Sequence, residues 1–239
     1  MLDHRPFASI GQFRNDWLDA HHHFSFGEYY DRSRMGVGSL RVWNDDTIKA
    51  GSGFDPHPHR DMEIITYIRS GAITHMDGLG NRGRTERGDV QVMSAGTGIM
   101  HAEYNLEPED MQLFQIWVVP AQKRVQPRWE NREFPKVAGG LIPLASGRQI
   151  HAAANPIEIY QDAAILGGVL SSGQSDRYEL GRNRAAYLVP TRGRMRIETS
   201  DGERIEIAPR DGLVVAGVET MALTALDEEA EVVVADVAL

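Results

Sequence analysis

The sequence predicts an all-β protein. Three observations support this prediction: many short runs rich in β-branched and aromatic residues, turn-forming Gly, Asn and Asp between these runs, and weak helical periodicity. Runs of this kind, bounded by turn formers and repeated along the chain, are typical of β-sandwiches and β-barrels.

The predicted strands follow one another through both halves of the chain. The first half carries runs at 38–43, 63–68, 89–93 and 112–119, and the second half carries runs at 164–166, 186–189, 195–198, 213–215 and 231–234. The glycine-rich cluster at 78–83 predicts a hairpin loop. The best helix candidate is short and extends from Ile10 to Ala20, where apolar residues recur at helical spacing.

A proline-rich stretch separates the two halves. Five of the eleven prolines fall between residues 120 and 156, which also contain Gly139 and Gly140. We therefore expect two β domains, 1–138 and 139–239, joined through this stretch. The halves also resemble each other, because Gly71 and Asp89 show the same 18-residue spacing as two residues of the second half, Gly193 and Asp211. Equal spacing favours an internal duplication.

Composition excludes several functional classes. The formal net charge of −9 disfavours nucleic acid and anionic membranes as partners. The absence of cysteine excludes disulfides, thiolate-ligated zinc, iron–sulfur clusters and a cysteine nucleophile. No signal peptide and no long apolar run is evident in the sequence, so we expect a cytoplasmic, soluble protein.

Two short motifs could together hold a metal ion. His57 and His59 would share one face of a strand, and so would His101 and Glu103, because side chains alternate along a strand. One such pair alone is usually just two polar residues on a half-exposed strand. If the two segments meet, three imidazoles and a carboxylate suit Fe, Mn, Co, Ni, Cu or Zn, with coordination positions left open. Glu63 lies an even number of residues from His57 and would share its face of a strand. Strand alternation alone therefore does not decide whether Glu63 or Glu103 is the carboxylate ligand.

The same residues carry a family resemblance. Gly51 through Glu63 resembles the first cupin motif, and Gly88 through Asn105 resembles the second, with Ser94 in place of the usual proline and two extra residues before the histidine. These departures are themselves similar to the pirin pattern, which the segments His57-Pro58-His59-Arg60 and Met93 through Glu103 closely resemble. Ala102 stands where serine is more usual. The resemblance is strong from about residue 20 to 120 and looser beyond.

The resemblance to the pirin family implies a bicupin, with two stacked β-barrels and the metal in the N-terminal barrel alone. It implies the ligands His57, His59, His101 and Glu103, leaves Glu63 unused, and favours Fe(II). The sequence agrees on one point, since His151 is the only histidine beyond residue 150 and the second half has no His-x-His. We therefore expect the C-terminal domain to cap and stabilise the first barrel.

The resemblance also implies an activity. Bacterial pirin-like proteins are described as quercetin 2,3-dioxygenases, so we expect a flavonol and O2 as substrates, CO as a product and Glu103 as the base that deprotonates the flavonol. One alternative is a redox-sensing metalloprotein that acts through a protein partner, and another is a different cupin enzyme. A monomer is expected.

Three other features could suggest function, but the sequence favours structural roles for them. His21, His22 and His23 alternate between faces of a predicted strand, which favours a solvated polar run over a metal site. His75 lies in a predicted strand near the glycine-rich loop, and a structural role is favoured. Aromatic residues could line a flavonoid pocket or form the core equally well: Phe24, Phe26, Tyr29, Tyr30 and Trp43.

Overall fold

A computed structural model describes residues 1–239, and their regular structure is almost entirely β. The first twelve strands are β1 (Leu2–Arg5), β2 (Gly11–Arg14), β3 (Leu18–His22), β4 (Leu40–Ile48), β5 (Gly53–His59), β6 (Glu63–Ser70), β7 (Ala72–Asp77), β8 (Arg82–Glu86), β9 (Val90–Ser94), β10 (Ile99–Tyr104), β11 (Met111–Val118) and β12 (Arg128–Arg132).

Ten further strands complete the chain: β13 (Gly140–Ser146), β14 (Ile157–Glu158), β15 (Ala163–Ser171), β16 (Ser175–Glu179), β17 (Arg184–Arg192), β18 (Met195–Thr199), β19 (Arg204–Ile207), β20 (Gly212–Ala216), β21 (Thr220–Ala225) and β22 (Glu229–Ala238). The only helices are two short 3-10 segments, Phe7–Ser9 and Gln149–Ala154. Neither could cross a lipid bilayer.

Each half is built from one seven-stranded and one four-stranded sheet. In the first half the strand orders are β12-β9-β6-β11-β4-β3-β2 and β5-β10-β7-β8. In the second half they are β1-β20-β17-β22-β15-β13-β14 and β16-β21-β18-β19. The all-β prediction is confirmed, and each half is a pair of facing sheets rather than a closed barrel.

The predicted internal repeat is confirmed by the topology. The central order β9-β6-β11-β4 in the first large sheet corresponds strand by strand to β20-β17-β22-β15 in the second. Gly71 and Gly193 occupy equivalent hairpin turns, with φ of 74° and 70°, a backbone conformation that favours glycine. Strand β12 is the edge strand beside β9 in the first large sheet, and β1 has the equivalent edge position beside β20 in the second large sheet.

The interiors of the two halves differ, although the central strand order of their large sheets is the same. A cluster of 18 buried apolar residues, including Leu188, Leu223 and Val234, fills the second half. In the first half the apolar residues form two smaller clusters, one around Ile68 and Leu113 and one of four residues at Ile64, Met93, Ala95 and Ile99. The interior of the first half therefore also contains buried polar side chains, among them His75, His101 and Glu103. A fourth cluster of 24 residues, which includes Trp43 and Tyr187, joins the two halves.

Two local predictions were wrong. The segment Ile10 to Ala20 forms a hairpin of β2 and β3, because Asn15 Oδ1 accepts hydrogen bonds from the backbone N–H groups of Trp17 and Leu18 and closes a turn. The proline-rich stretch 120–156 is not a bare connection, since it contains β12 of the first half and β13 of the second. The domain boundary at residue 138 lies between these strands and stays a prediction.

Candidate metal centre

Pairing of β5 with β10 brings the two histidine motifs together. His57 lies directly opposite His101 in the antiparallel register, and His59 lies opposite Ile99. The ring centroids of His57, His59 and His101 are 4.4–5.0 Å apart, and one nitrogen from each ring lies within 4.8 Å of the others. The backbone carbonyl of Asp55, 2.7 Å from His57 Nδ1, orients that ring.

His59 and His101 have the electronic state that a metal ion requires. Burial, with His57 and His59 nearby, lowers the pKa of His101 to about 2. Burial, with a smaller effect of His57, lowers the pKa of His59 to about 4. Neutral rings keep a lone pair for coordination. Moreover, His101 Nε2 is buried without any hydrogen-bond partner, an arrangement that is rare in proteins unless an ion or water completes it.

Glu103 lies deeper, beside His101. Its side chain is buried, and it forms an overlapping group with His75 and His101 in which the donor atoms also lie within 4.8 Å of one another. Gln91 Nε2 donates to Glu103 Oε1 at 2.6 Å, and Gln115 Nε2 donates to Oε2 at 2.9 Å. Burial raises the pKa of Glu103 to about 7, and the two amide donors oppose this rise.

Sequence reasoning missed Gln91 and Gln115. Each lies between two apolar residues in the middle of a strand, Val-Gln-Val in β9 and Phe-Gln-Ile in β11. An amide in the middle of a buried strand is the signal that could have found them, since buried polar groups require partners. The rival carboxylate, Glu63, belongs to neither histidine group, and its Oε2 accepts a 2.7 Å hydrogen bond from Ser94 Oγ.

A cavity of about 520 Å³ adjoins this cluster and is bordered by His57, His59 and Glu103. This volume falls within the range of roughly 300–1,000 Å³ found for small-molecule sites. Aromatic and apolar side chains form much of its wall: Phe13, Leu18, Phe26, Tyr29, Phe54 and Trp117. Asn44 and Asp46 add polar groups, and burial followed by the charges of Asp45 and Glu103 raises the pKa of Asp46 well above its ordinary value.

The aromatic residues considered in the sequence divide between pocket and core. Phe26 and Tyr29 line the cavity, whereas Phe24 and Trp43 belong to the core between the halves, and Tyr30 is exposed.

The solvated run predicted at residues 21–23 was wrong for two of its three histidines. His22 and His23 are buried because each ring has a polar partner inside the protein. His22 Nδ1 lies 2.9 Å from Asn44 Oδ1, and His23 Nδ1 lies 2.8 Å from the hydroxyl of Tyr187. No group of potential ligands comparable to the first-half cluster forms in the second half.

Comparisons with known proteins agree with this architecture. Residues 4–118 match the Pirin family model, and residues 146–237 match the model of the quercetinase C-terminal cupin domain. The chain is 50% identical to a pirin-like protein of Caulobacter vibrioides, with both chains covered completely. It is 35% identical to the quercetin 2,3-dioxygenase of Escherichia coli K12, covering 99% of this chain and 98% of that protein.

Solved structures give the same result. The crystal structure of YhhW from Escherichia coli superposes with a TM-score of 0.91 at 35% identity, covering 99% of this chain and 97% of that one. A second structure, of the bacterial pirin YhhW in complex with nickel(II), gives a TM-score of 0.90 at 34% identity, covering 100% and 99%. The predicted bicupin architecture is thereby confirmed, and the chain belongs to the pirin family.

Proposed function

We propose that the chain is a metal-dependent dioxygenase that cleaves the central ring of a flavonol such as quercetin. The observation that carries this proposal is the juxtaposition of three converging imidazoles with an aromatic-walled cavity large enough for a small planar substrate. The names of the Escherichia coli relatives support it, as does the nickel complex of one of them. In this proposal residues 1–138 hold the metal, and residues 139–239 support that domain.

His57, His59, His101 and Glu103 are the residues that would hold the ion. The donor set contains three imidazole nitrogens and one carboxylate oxygen, which suits Fe(II), our expected ion, and also Mn, Co, Ni, Cu or Zn. When bound, the metal would act as a Lewis acid on the deprotonated hydroxyl of the flavonol.

The side chains of the cavity have distinct tasks in the proposed reaction. Glu103 accepts the proton of the flavonol 3-hydroxyl, and the amides of Gln91 and Gln115 keep its carboxylate in one orientation. The aromatic walls, among them Phe54 and Trp117, pack against the flat rings of the substrate and exclude water. The balanced reaction consumes one flavonol and one O2 and yields one depside and one CO.

Anaerobic reconstitution tests this proposal. The metal-free protein is loaded separately with Fe(II), Mn(II), Co(II), Ni(II) or Cu(II), and then mixed with quercetin and O2. We expect loss of flavonol absorbance, O2 uptake and CO release in equal amounts with at least one ion. A His101→Ala variant should lose both metal and activity, whereas His151→Ala, a matched change in the second half, should retain both.

Two results would contradict the proposal in different ways. Retention of one equivalent of metal by His101→Ala would refute the assigned ligands. Tight metal binding without CO from quercetin would refute the dioxygenase activity and favour a redox-sensing role.

A further inference from the structure

His75 lies against the proposed ligand His101, although it was assigned only a structural role from the sequence. Its side chain is completely buried, and the two Nδ1 atoms are 3.4 Å apart. On its other side, His75 Nε2 lies 3.0 Å from Asp77 Oδ2. Asp77, His75 and His101 therefore form a continuous chain of hydrogen-bonding groups that ends at the proposed metal site.

The direction of these hydrogen bonds follows from Asp77. Its Oδ1 accepts from the backbone N–H groups of Leu79 and Asn81 at 2.9 and 3.1 Å, and its Oδ2 accepts from Asn81 Nδ2 at 2.9 Å. An ionised carboxylate only accepts hydrogen bonds, so the contact with His75 must be a donation from His75 Nε2–H.

The ring nitrogen that carries the hydrogen on His75 then determines which ring nitrogen carries it on His101. A neutral imidazole carries one N–H, so His75 Nδ1 is an acceptor once Nε2 is the donor. The neighbouring His101 Nδ1 must therefore carry the hydrogen that joins the two rings. This leaves His101 Nε2 with a free lone pair, and it is this nitrogen that has no partner in the protein.

Packing fixes the orientation of His75. Its ring stacks on the indole of Trp129 with centroids 4.8 Å apart and an angle of 6° between the planes. Gly83, which pairs with His75 across β7 and β8, makes room for the indole. A Cβ atom at Gly83 would lie 2.2 Å from Trp129 Cη2, so any larger residue would displace the ring.

We propose that Asp77 and His75 are positioning residues that fix the tautomer and orientation of His101 and so present its Nε2 to the metal. This inference rests on the metal site of the proposed function. Metal-ligating histidines commonly donate their other N–H to a fixed acceptor, and loss of that acceptor weakens metal binding roughly 10–100-fold. His75 itself has both nitrogens engaged, which separates its role from that of a ligand.

Competition titration with Ni(II) against a chelator, without substrate, tests the proposal. His75→Phe keeps a flat ring beside Trp129 but removes both nitrogens, and we expect its affinity to fall about 10–100-fold. His75→Asn places a carbonyl oxygen near the position of Nδ1 and should recover most of the affinity. Asp77→Asn removes the obligate acceptor and should also weaken binding. Thermal unfolding of each metal-free variant identifies those that are folded.

Nitrogen-15 NMR of the histidines gives a second readout that needs no metal. In the metal-free wild type, His101 should be the neutral Nδ1–H tautomer, and in His75→Phe it should shift towards Nε2–H. Wild-type affinity in folded His75→Phe, or an Nε2–H tautomer at His101 in the wild type, would overturn the proposal. Complete loss of binding, equal to that of His101→Ala, would instead make His75 a ligand and also overturn it.

Failure of the metal site itself gives a different result. In that case the wild type and His57→Ala would both bind Ni(II) only weakly, and the tautomer measurement would still decide whether Asp77 and His75 set the protonation of His101.

Discussion

The buried ring of His23 should make the stability of the protein depend on pH. His23 is fully buried between the halves, where its Nδ1 contacts the hydroxyl of Tyr187 and its Nε2 has no partner. Burial, aided by Arg210 and other cations, lowers its pKa from 6.5 to about 3. Between these values the unfolded chain binds a proton that the folded chain does not, so the free energy of unfolding falls as the pH falls. From pH 7 to pH 5 the loss from this one residue is about 2 kcal/mol.

Comparison of the wild type with His23→Asn isolates this effect. Asparagine can still accept a hydrogen bond from Tyr187, but it does not titrate. Urea unfolding of the metal-free proteins at pH 7, 6 and 5 should show a steeper loss of stability for the wild type, by about 2 kcal/mol across the range. The other histidines contribute equally to both proteins and cancel. Identical pH dependence in the two proteins would refute the assignment.

Three further substitutions test other parts of the structure. Asp46→Asn should raise the urea midpoint at pH 7, and the gain over the wild type should disappear near pH 4. The raised pKa of Asp46 lowers the free energy of unfolding only at pH values where this carboxyl is ionised in the unfolded chain. Gly83→Ala should cost about 1–3 kcal/mol by overpacking against Trp129 and should weaken Ni(II) binding in the same titration. Asp45→Asn should lower the free energy of unfolding by about 3 kcal/mol, because it removes the buried carboxylate that pairs with Arg69 at 3.1 Å and Arg210 at 2.6 Å. Added salt should change this loss little, since the pairs are buried. A destabilisation that salt abolishes would show that this network is effectively solvent-exposed.

Local patterns in the sequence were sufficient for the fold class and for the placement of the histidine motifs. Alternation and turn residues locate β6, β9 and β11, and the His-x-His spacing places His57 and His59 on one face of β5. The helix predicted from Ile10 failed because the side-chain amide of Asn15 forms a turn, a contact that apolar periodicity does not reveal. The monomeric state and cytoplasmic location stay predictions.

The surroundings of the site could not be predicted, because they depend on contacts between distant strands. His75 carries no motif of its own, and its relation to His101 arises only from the register of β7 against β10. In the same way, Gln91 and Gln115 meet at Glu103 from two separate strands. Such convergence is a property of the assembled sheets.

Strand β1 pairs with β20, a strand that lies far along the sequence. Leu2 pairs with Val215, and the backbone of Met1 contacts Ala216, 215 residues away. During synthesis on a ribosome, β1 has no partner until β20 has emerged. The large loop that must close makes the pairing a late and slow event in folding. Until then β20 keeps an exposed edge, so the second half depends on the first five residues for protection against aggregation.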